Sequence, residues 1–425
     1  MHAPATDQEI ATLFDRSAGA LVLNFGKGRF LHGTLAVIRS LGRLGIPVFA
    51  IQLRPRLPIS FTRYLSGTFS WSTRSDRADD FLEGLGKIAK VLDRPSILIP
   101  SDDLSAILIA ENANQIPAQF IATRQIAQLP RMLANKRTLW HFCQQRGVEV
   151  PPTFFPTSET ELFELSGNLQ YPVIVKVAEP WLLPAGFRSV VMIDESRDLI
   201  EYYNAFTQYS TAASLMIQEM ISGSDCEDWF VHGYFDVNSK PVVLFTGIKL
   251  RSYPAFAGAT TLGRAVRNET LREQAIKLCS DIGYSGIVDL DFRLDKNRKY
   301  HLLDFNPRVG AQFSLFRTTT GMDVVRALHL DLTGRPAHPG QQIEGRTFLS
   351  EVQDVVASYK YCRKGRLSVS EWVRSVRNID EHAWYASDDL GPFFMMCWSV
   401  LGRASARLGE TLTRIFKPKK HVNVC

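Results

Sequence analysis

The residues best suited to chemistry are two carboxylates and one amide, Asp291, Asp304 and Asn306, which lie close together in the chain. Hard oxygen donors of this kind suit Mg²⁺, which takes one or two carboxylates and completes its shell with water and phosphate oxygens. Arg308 follows two residues after Asn306, and a guanidinium there suits a carboxylate or a transferring phosphoryl group. The set predicts a metal-assisted site for an anionic substrate; the alternative is an exposed hairpin with solvated charges.

A β-hairpin is expected to bring these donors together. Ile287–Leu294 and Tyr300–Phe305 read as strands, and the cluster at 295–298 reads as the turn between them. Side chains alternate between the two faces of a strand. The alternation groups Asp289, Asp291 and Arg293 on one strand, and Leu302, Asp304 and Asn306 on the other. A two- or four-residue turn lets Asp291 face Asp304, whereas a three-residue turn would break this register.

Two lysines are candidates for binding an anion near this hairpin. Lys176 lies within the apolar strand Val173–Val177, where an ammonium is costly to bury without an anionic partner. It therefore either reaches solvent at a sheet edge or meets a phosphate. Lys136 lies early in a helix expected over Met132–Arg146, and by itself it is typical of a solvated surface lysine.

Two further segments could contribute to a ligand site. Pro180–Arg188 reads as an irregular loop able to fold over a ligand, with Gly186 for conformational freedom and Arg188 for charge. Asp102 and Asp103 follow a strand at 96–100, where they either cap the next helix or hold a substrate amine.

The order of elements predicts an α/β region followed by an α+β region. Residues 20–51 form a β-loop-α-β unit, which implies a parallel sheet, and the middle of the chain reads as antiparallel strands. Gly26 and Gly28 give only a fragment of a dinucleotide fingerprint, so a structural turn is favoured there. We expect an α/β domain over 1–130, an α+β domain over 131–335 and a mostly helical C-terminal extension over 336–425.

Composition excludes several classes of protein. The 425 residues carry a net charge of +6, which is compatible with anionic ligands and too weak to indicate nucleic acid. The six cysteines contain no C-x-x-C pair, which argues against zinc and against a disulfide framework. No signal peptide and no transmembrane segment are visible, so a cytoplasmic location is expected.

The C-terminal tail has its own pattern. Residues 392–400 are strongly apolar, and residues 403–420 are basic and amphipathic. A helix packed against the body is favoured over peripheral contact of the tail with a membrane surface. The sequence leaves the formation of a homo-oligomer open.

Several spaced segments together match one family. They are N-K-R at 135–137, Y-P-V-I-V-K at 171–176, I-Q-E-M-I-S-G at 217–223, D-F at 291–292 and D-F-N-P-R at 304–308. Over roughly residues 20–330 the chain resembles the ATP-grasp superfamily, in particular the carboxylate–amine ligases that include D-alanine–D-alanine and D-aspartate ligases. The resemblance implies a Rossmann-like pre-grasp domain followed by an ATP-grasp domain.

The resemblance also implies roles for individual residues. The implied ATP contacts are Lys136 and Lys176 for the phosphates, Gln218, Glu219, Met220 and Ile221 for adenine, Glu227 for ribose with Asp228 as the competing choice, and Arg188 for phosphate closure. The implied ligands of Mg²⁺, or of Mn²⁺ in its place, are Asp291, Asp304 and Asn306. The implied catalytic cations are Arg308 near the acyl phosphate, and Lys249 and Arg251 for substrate or phosphate.

The implied activity is ATP-dependent joining of a small-molecule carboxylate to an amine through an acyl phosphate, with release of ADP and phosphate. Carboxylation, thioester formation and a non-catalytic ATP-binding regulator are the alternatives. Two features depart from the family: the second carboxylate is Asp304 where glutamate is usual, and the loop at 178–188 is poor in glycine.

Overall fold

A computed structural model describes residues 5–26, 31–52, 57–71, 77–183, 187–210, 215–221 and 227–402. These residues form three β-sheets of five, four and seven strands. Among the helices of the described ranges, none combines the length and the apolar character needed to cross a bilayer.

The five-stranded sheet is parallel, as the β-loop-α-β pattern predicts, with the order β3-β2-β1-β4-β5. Its strands are β1 Gly19–Leu23, β2 Val48–Gln52, β3 Gly67–Ser70, β4 Ser96–Pro100 and β5 Phe120–Ile121. The helices of this region are α1 Asp7–Ile10, α2 His32–Gly42, α3 Ala78–Ala89 and α4 Asp103–Glu111. Alternate residues of β1 enter two different cores. Ala20 and Val22 pack in the core that contains α2, whereas Leu21 and Leu23 pack in the core that contains α3 and α4. Helices therefore cover both faces of this sheet.

Two helices and a four-stranded antiparallel sheet follow. The helices are α5 Leu129–Ala134 and α6 Lys136–Arg146. The strands, in the spatial order β6-β9-β7-β8, are β6 Thr153–Phe154, β7 Val173–Val177, β8 Val190–Ile193 and β9 Leu215–Glu219. The helices α7 Glu159–Ser166 and α8 Ser196–Thr207 contribute Leu162, Leu199 and Phe206 to the core that covers this sheet.

The seven-stranded sheet carries the hairpin identified in the sequence, and its order is β14-β13-β10-β11-β12-β15-β16. Its strands are β10 Glu227–Phe235, β11 Pro241–Tyr253, β12 Ala259–Ala265, β13 Gly286–Leu294, β14 Tyr300–Asn306, β15 Thr347–Leu349 and β16 Glu381–His382. The helices α9 Glu269–Asp281 and α10 Val324–Leu332 pack against it through two apolar cores.

The C-terminal part does not stand apart from the rest of the fold. Its helices are α11 Glu351–Arg363, α12 Val369–Ser375 and α13 at 391–402. The strands β15 and β16 extend the large sheet beyond β12, and Trp384 is buried in the same core as α2. These two strands were not predicted, because segments of three and two residues are too short to display a period.

Candidate active site

A cavity of about 650 Å³ lies between the four-stranded sheet and the seven-stranded sheet. Side chains of β7 and β9 line one wall, and side chains of β10, β11, β13 and β14 line the other. Asp291, Asp304 and Asn306, the predicted metal ligands, all line this cavity. The exposed-hairpin alternative therefore does not describe these three residues.

The hairpin reaches its predicted pairing through a β-bulge. Asp291 pairs with Asp304 and Asp289 with Asn306, as the predicted facing requires, but the register shifts beyond Asp291. Asp295 and Lys299 close a three-residue turn, which alone would place Asp291 and Asp304 on opposite faces. One extra residue in a bulged strand reverses this. The bulge, and not an even-numbered turn, puts the two carboxylates on one face.

Because of the same bulge, the prediction that Leu302 shares a face with Asp304 is wrong. Leu302 pairs with Phe292 and is buried in the apolar core, so it does not share the face of Asp304. Strict alternation fails there because a bulge inserts one residue into the strand. The residues between the bulge and the turn, Leu302 among them, therefore point to the opposite face from the one that alternation predicts.

Asp304 is the point where the two predicted phosphate lysines meet. Lys176 Nζ lies 3.4 Å from Asp304 Oδ2 and donates to the Leu303 carbonyl at 3.3 Å. Lys136 Nζ bonds the other carboxylate oxygen of Asp304. Lys176 is buried on an inner strand of its sheet, so the alternative of an edge lysine reaching solvent is wrong.

Lys136 reaches Asp304 because the helix breaks before it, although Lys136 is not itself among the residues that line the cavity. The single helix expected over Met132–Arg146 is wrong, because Asn135 adopts an extended conformation and caps α6 through its side chain. The Lys136 amide then donates to the Ala178 carbonyl at 2.9 Å, which ties the start of α6 to the end of β7. Asn135 therefore positions Lys136 as well as capping its helix.

The electrostatics of this group favour a bound anion. Burial alone would raise the pKa of Asp304, but the Lys136 and Lys176 ammonium groups hold that pKa well below its usual range. Burial lowers the pKa of Lys176, and Asp304 opposes that shift. Two cations share one carboxylate, so the group carries surplus positive charge in a desolvated site, which suits phosphate oxygens.

A second set of ion pairs lies beside the first. Lys249 Nζ lies 2.7 Å from Asp291 Oδ1, and Asp291 offsets the effect of burial and raises the pKa of Lys249. Arg308 donates to Asp289 Oδ2 at 2.8 Å, and its Nε lies 3.3 Å from Asp103 Oδ1. Lys249 and Arg308 both line the cavity, as the predicted catalytic cations should.

Asp289 and His232 have roles that the sequence analysis missed. Asp289 fixes Arg308, and fully buried His232 places Nε2 at 3.2 Å from the other oxygen of Asp289. Burial lowers the pKa of His232 to about 4, so the ring is neutral at pH 7. The alternation of Asp289 with Asp291 was a usable signal for the first residue, whereas nothing in the sequence marked His232.

The three predicted metal ligands supply some of the oxygen donors that a divalent cation requires. Asn306 uses its amide nitrogen to donate to the Asp289 carbonyl at 3.1 Å, so the ligand function falls to its amide oxygen. In the part of the chain that the structure describes, no three His, Cys, Asp or Glu side chains group into a metal site. Two carboxylates and an amide fit Mg²⁺ when phosphate and water oxygens supply the remaining ligands.

The segment expected to bind adenine lies along the cavity. Gln218, Glu219, Met220 and Ile221 all line it, and the Gln218 side chain is held by Thr153 at 3.1 Å. The turn at 222–225 and Gly186 lie outside the described residues.

Of the two carboxylates that the resemblance implies for the ribose, only Asp228 lies at the cavity. Asp228 lines the cavity and pairs with Arg293 at 2.6 Å. Glu227 is not among the lining residues and accepts a bond from Trp229 Nε1 at 2.8 Å. Neighbouring residues of one strand point to opposite faces, so only one of the two can serve the cavity.

Arg188 and Arg251 differ in position. Arg188 is exposed and lines the cavity, as a phosphate-covering residue should. Arg251 is buried outside it, where Nε and Nη2 each donate to Asp354 at 2.8 Å. The register of β11 shifts between Lys249 and Arg251, which sends the second cation to the opposite face. The structure therefore does not bring Arg251 to this cavity.

Of the two adjacent aspartates, one caps and one contacts the site. Asp102 accepts from the Ser105 amide and caps α4, and burial raises the pKa of Asp102 to about 6. Asp103 contacts Arg308, as described above. The capping prediction therefore holds for Asp102 alone.

Comparison with known proteins adds sequence relatives of defined activity. Residues 252–330 match the family described as the carbamoyl-phosphate synthase L chain, ATP binding domain. D-aspartate ligase of Enterococcus faecium is 23% identical over 265 residues, which cover 59% of this chain and 63% of the relative. The carbamoyl phosphate synthase large chain of Vibrio cholerae is 21% identical over 218 residues, which cover 49% of this chain and 19% of the relative.

Solved structures give the fold. N5-carboxyaminoimidazole synthetase from Staphylococcus aureus, complexed with ADP, aligns with a TM-score of 0.58 at 13% identity over 83% of this chain and 89% of that one. Biotin carboxylase from Campylobacter jejuni aligns with a TM-score of 0.55 at 16% identity over 78% of this chain and 75% of that one. The resemblance drawn from the sequence is confirmed, and the chain has the ATP-grasp fold.

Proposed function

We propose that this protein is an ATP-dependent ligase that joins a small-molecule carboxylate to an amine and releases ADP and phosphate. The observation that carries the proposal is the convergence of Lys136 and Lys176 on Asp304, within reach of the cavity that Asp291 and Asn306 also line. Surplus positive charge beside hard oxygen donors is suited to a metal–triphosphate complex.

The proposed chemistry has two steps. A carboxylate oxygen of the first substrate attacks the γ-phosphorus of ATP, the bond from that phosphorus to the ADP oxygen breaks, and an acyl phosphate forms. The amine nitrogen then attacks the acyl carbon, phosphate leaves, and the amine loses a proton to give the amide. Mg²⁺ held by Asp291, Asp304 and Asn306 would supply charge neutralisation to the phosphates.

The chain's own residues contribute position and charge. Lys136 and Lys176 bind phosphate oxygens in place of Asp304, and Arg308, braced by Asp289 and Asp103, stabilises negative charge near the transferring group. Arg188 covers the phosphates from the solvent side, and Lys249 binds phosphate or substrate. Such arrangements accelerate phosphoryl transfer by positioning and electrostatics, without a covalent protein intermediate.

The remaining assignments belong to the same proposal. Residues 1–130 form a Rossmann-like pre-grasp domain, 131–335 the ATP-grasp domain and 336–425 a mostly helical extension. The parallel order β3-β2-β1-β4-β5 and helices on both faces of that sheet support the first assignment. The partners are a carboxylate and an amine, and the location is cytoplasmic.

Isotope transfer tests this proposal directly. The purified protein is incubated with Mg-ATP and pairs of ¹⁸O-carboxylate and amine substrates while phosphate release is recorded. An acyl-phosphate route moves one ¹⁸O atom from the carboxylate into the released phosphate and yields an amide detectable by mass. Phosphate without label in the presence of product amide would refute the proposed order of bond formation.

Variants and substrate panels separate the alternatives. Asp304→Ala should abolish phosphate release, while Asp281→Asn, an exposed change on α9, should leave it unaltered. Stimulation by bicarbonate in place of other carboxylates would identify a carboxylase, and stimulation by thiols a thioester-forming enzyme. Tight ATP binding without stimulated release across the whole panel would identify a regulator.

A further inference from the structure

Helix α13 is held to the protein by one side only. Met396 is buried in the largest apolar core, and Phe393, Cys397 and Val400 pack against the same core. The helix is therefore a fixed part of the folded body along that side, and its opposite side faces outward.

The outward side of α13 is apolar. Phe394, Trp398 and Leu401 are 62%, 74% and 66% exposed. Their spacing of four and then three residues aligns them in one stripe along the helix. We refer to these three side chains as the apolar face of α13. Single exposed apolar residues are common on protein surfaces, but an ordered stripe that includes Trp and Phe indicates a docking surface.

The sequence that follows α13 is strongly basic. Residues 403–425 contain six Lys or Arg and one Glu, so they contribute five of the six net positive charges of the chain. Leu408, Leu412 and Ile415 repeat the spacing of four and three that the apolar face begins. The apolar stripe of α13 thus continues in the sequence beyond the described helix, where basic residues accompany it for the first time.

These observations identify the partner by its chemistry. An anionic bilayer surface offers an apolar boundary for Trp, Phe and Leu and negative head groups for Lys and Arg. A second copy of the chain would bring two like-charged basic segments together, which is unfavourable. We propose that the apolar face of α13 docks this protein on anionic membrane surfaces, to which the positive charge of the sequence at 403–420 is complementary. The proposal is independent of the proposed ligase activity.

Vesicle co-sedimentation of the full-length protein tests the proposal. The vesicles are phosphatidylcholine alone, or phosphatidylcholine with about a third phosphatidylglycerol. The protein should pellet with the anionic vesicles only, and added salt should weaken binding because it screens the basic residues. Equal binding to both vesicle types, or none to the anionic type, would overturn the proposal.

Two variants divide the contributions of the apolar face and the basic segment. Phe394→Ser/Trp398→Gln/Leu401→Gln removes the apolar face, and Arg403→Gln/Arg407→Gln/Arg414→Gln lowers the charge. Each should reduce the partition coefficient on anionic vesicles by about tenfold or more. Phe163→Ser on α7, where the side chain is 69% exposed, is the matched control and should bind like the parent protein.

Two further measurements show whether the variants are folded and whether the protein forms dimers. An unchanged thermal midpoint and circular dichroism spectrum establish that each variant is folded, which is the expected result for the exposed positions of the apolar face. Light scattering without vesicles reports oligomeric state. A dimer that the apolar-face variant dissociates, combined with no vesicle binding by the parent, would assign this face to a second copy and refute the membrane proposal.

Discussion

The ion pair between Lys176 and Asp304 allows a quantitative test of the candidate site in the absence of nucleotide. The two side chains are 6% and 20% exposed, and Nζ lies 3.4 Å from Oδ2. At an effective dielectric constant near 20, this distance corresponds to a gross attraction of about 5 kcal/mol, from which desolvation must be subtracted. We expect a net coupling of about 2 kcal/mol, because Asp304 is partly exposed and also serves Lys136.

The two single substitutions should differ sharply in their effects on the free energy of unfolding. Asp304→Ala leaves Lys136 and Lys176 facing each other without their carboxylate, and should cost about 3 kcal/mol. Lys176→Met removes a buried cation and its repulsion with Lys136, and should cost less than about 1 kcal/mol. In the double variant, Lys176→Met should restore about 1–2 kcal/mol of what Asp304→Ala loses, which is the coupling less the cost of Lys176→Met itself.

Urea denaturation of the four proteins of this cycle supplies the free energies. The exposed pair between Lys277 and Asp281 on α9 gives a matched control cycle, for which the expected coupling is about 0.3–0.5 kcal/mol. A coupling for Lys176 and Asp304 as small as that of the control would refute the reasoning, as would equal losses from the two single substitutions. Phosphate release should fall in both single variants, because Asp304→Ala removes a proposed Mg²⁺ ligand and Lys176→Met removes a proposed phosphate contact.

Three further outcomes follow from the site and its surroundings. Arg251→Met should lower the free energy of unfolding by about 3 kcal/mol, because buried Asp354 loses its cation and keeps only the neutral donors of Thr261, Ser358 and Trp372. KM for ATP should stay unchanged, and a raised KM without lost stability would place Arg251 at the site. Asp228→Asn should weaken ATP binding by about fivefold in calorimetry while Glu227→Gln leaves the Kd unaltered, and equal effects would contradict the assignment to Asp228. Burial lowers the pKa of His32 from 6.5 to about 4, so the unfolded chain binds this proton first, and stability is lost as pH falls from 6.5 to 4. His32→Phe should remove about 3 kcal/mol of that loss in urea titrations between pH 7 and pH 4, and an unchanged pH profile would argue against a neutral buried ring.

Many residues of the candidate site were predictable because their selection depends on residue type and local spacing. The hairpin at 286–310, the lysine within β7 and the order of the family segments all lie within short stretches of sequence. Asp291, Asp304 and Asn306 reach one cavity with Lys176, as the alternation of strand residues and the cost of burying an ammonium led us to expect.

The errors arose where one residue changed the direction of the chain. The break at Asn135 divided a predicted helix, and irregular registers in β11 and β14 reversed the faces of Arg251 and Leu302. A bulge inserts one residue without any distinctive composition, so a periodic reading continues past it with the wrong parity. The sequence could not separate Glu227 from Asp228 for a related reason. Adjacent carboxylates look equivalent until their strand is placed in its sheet, which decides which of them faces the cavity.

The sequence by itself determined which groups are available: hard oxygen donors, two cations proposed to bind phosphates, and a strand pattern that must bury one of those cations. Only the tertiary structure decided which groups meet. Asp304 joins Lys136 and Lys176 across three separate segments, and Asp289 lies between His232 and Arg308 and bonds the arginine. The physical reason is that residue chemistry is a local property, whereas a desolvated ion pair forms only where the packing of distant elements brings its two halves within a few ångströms.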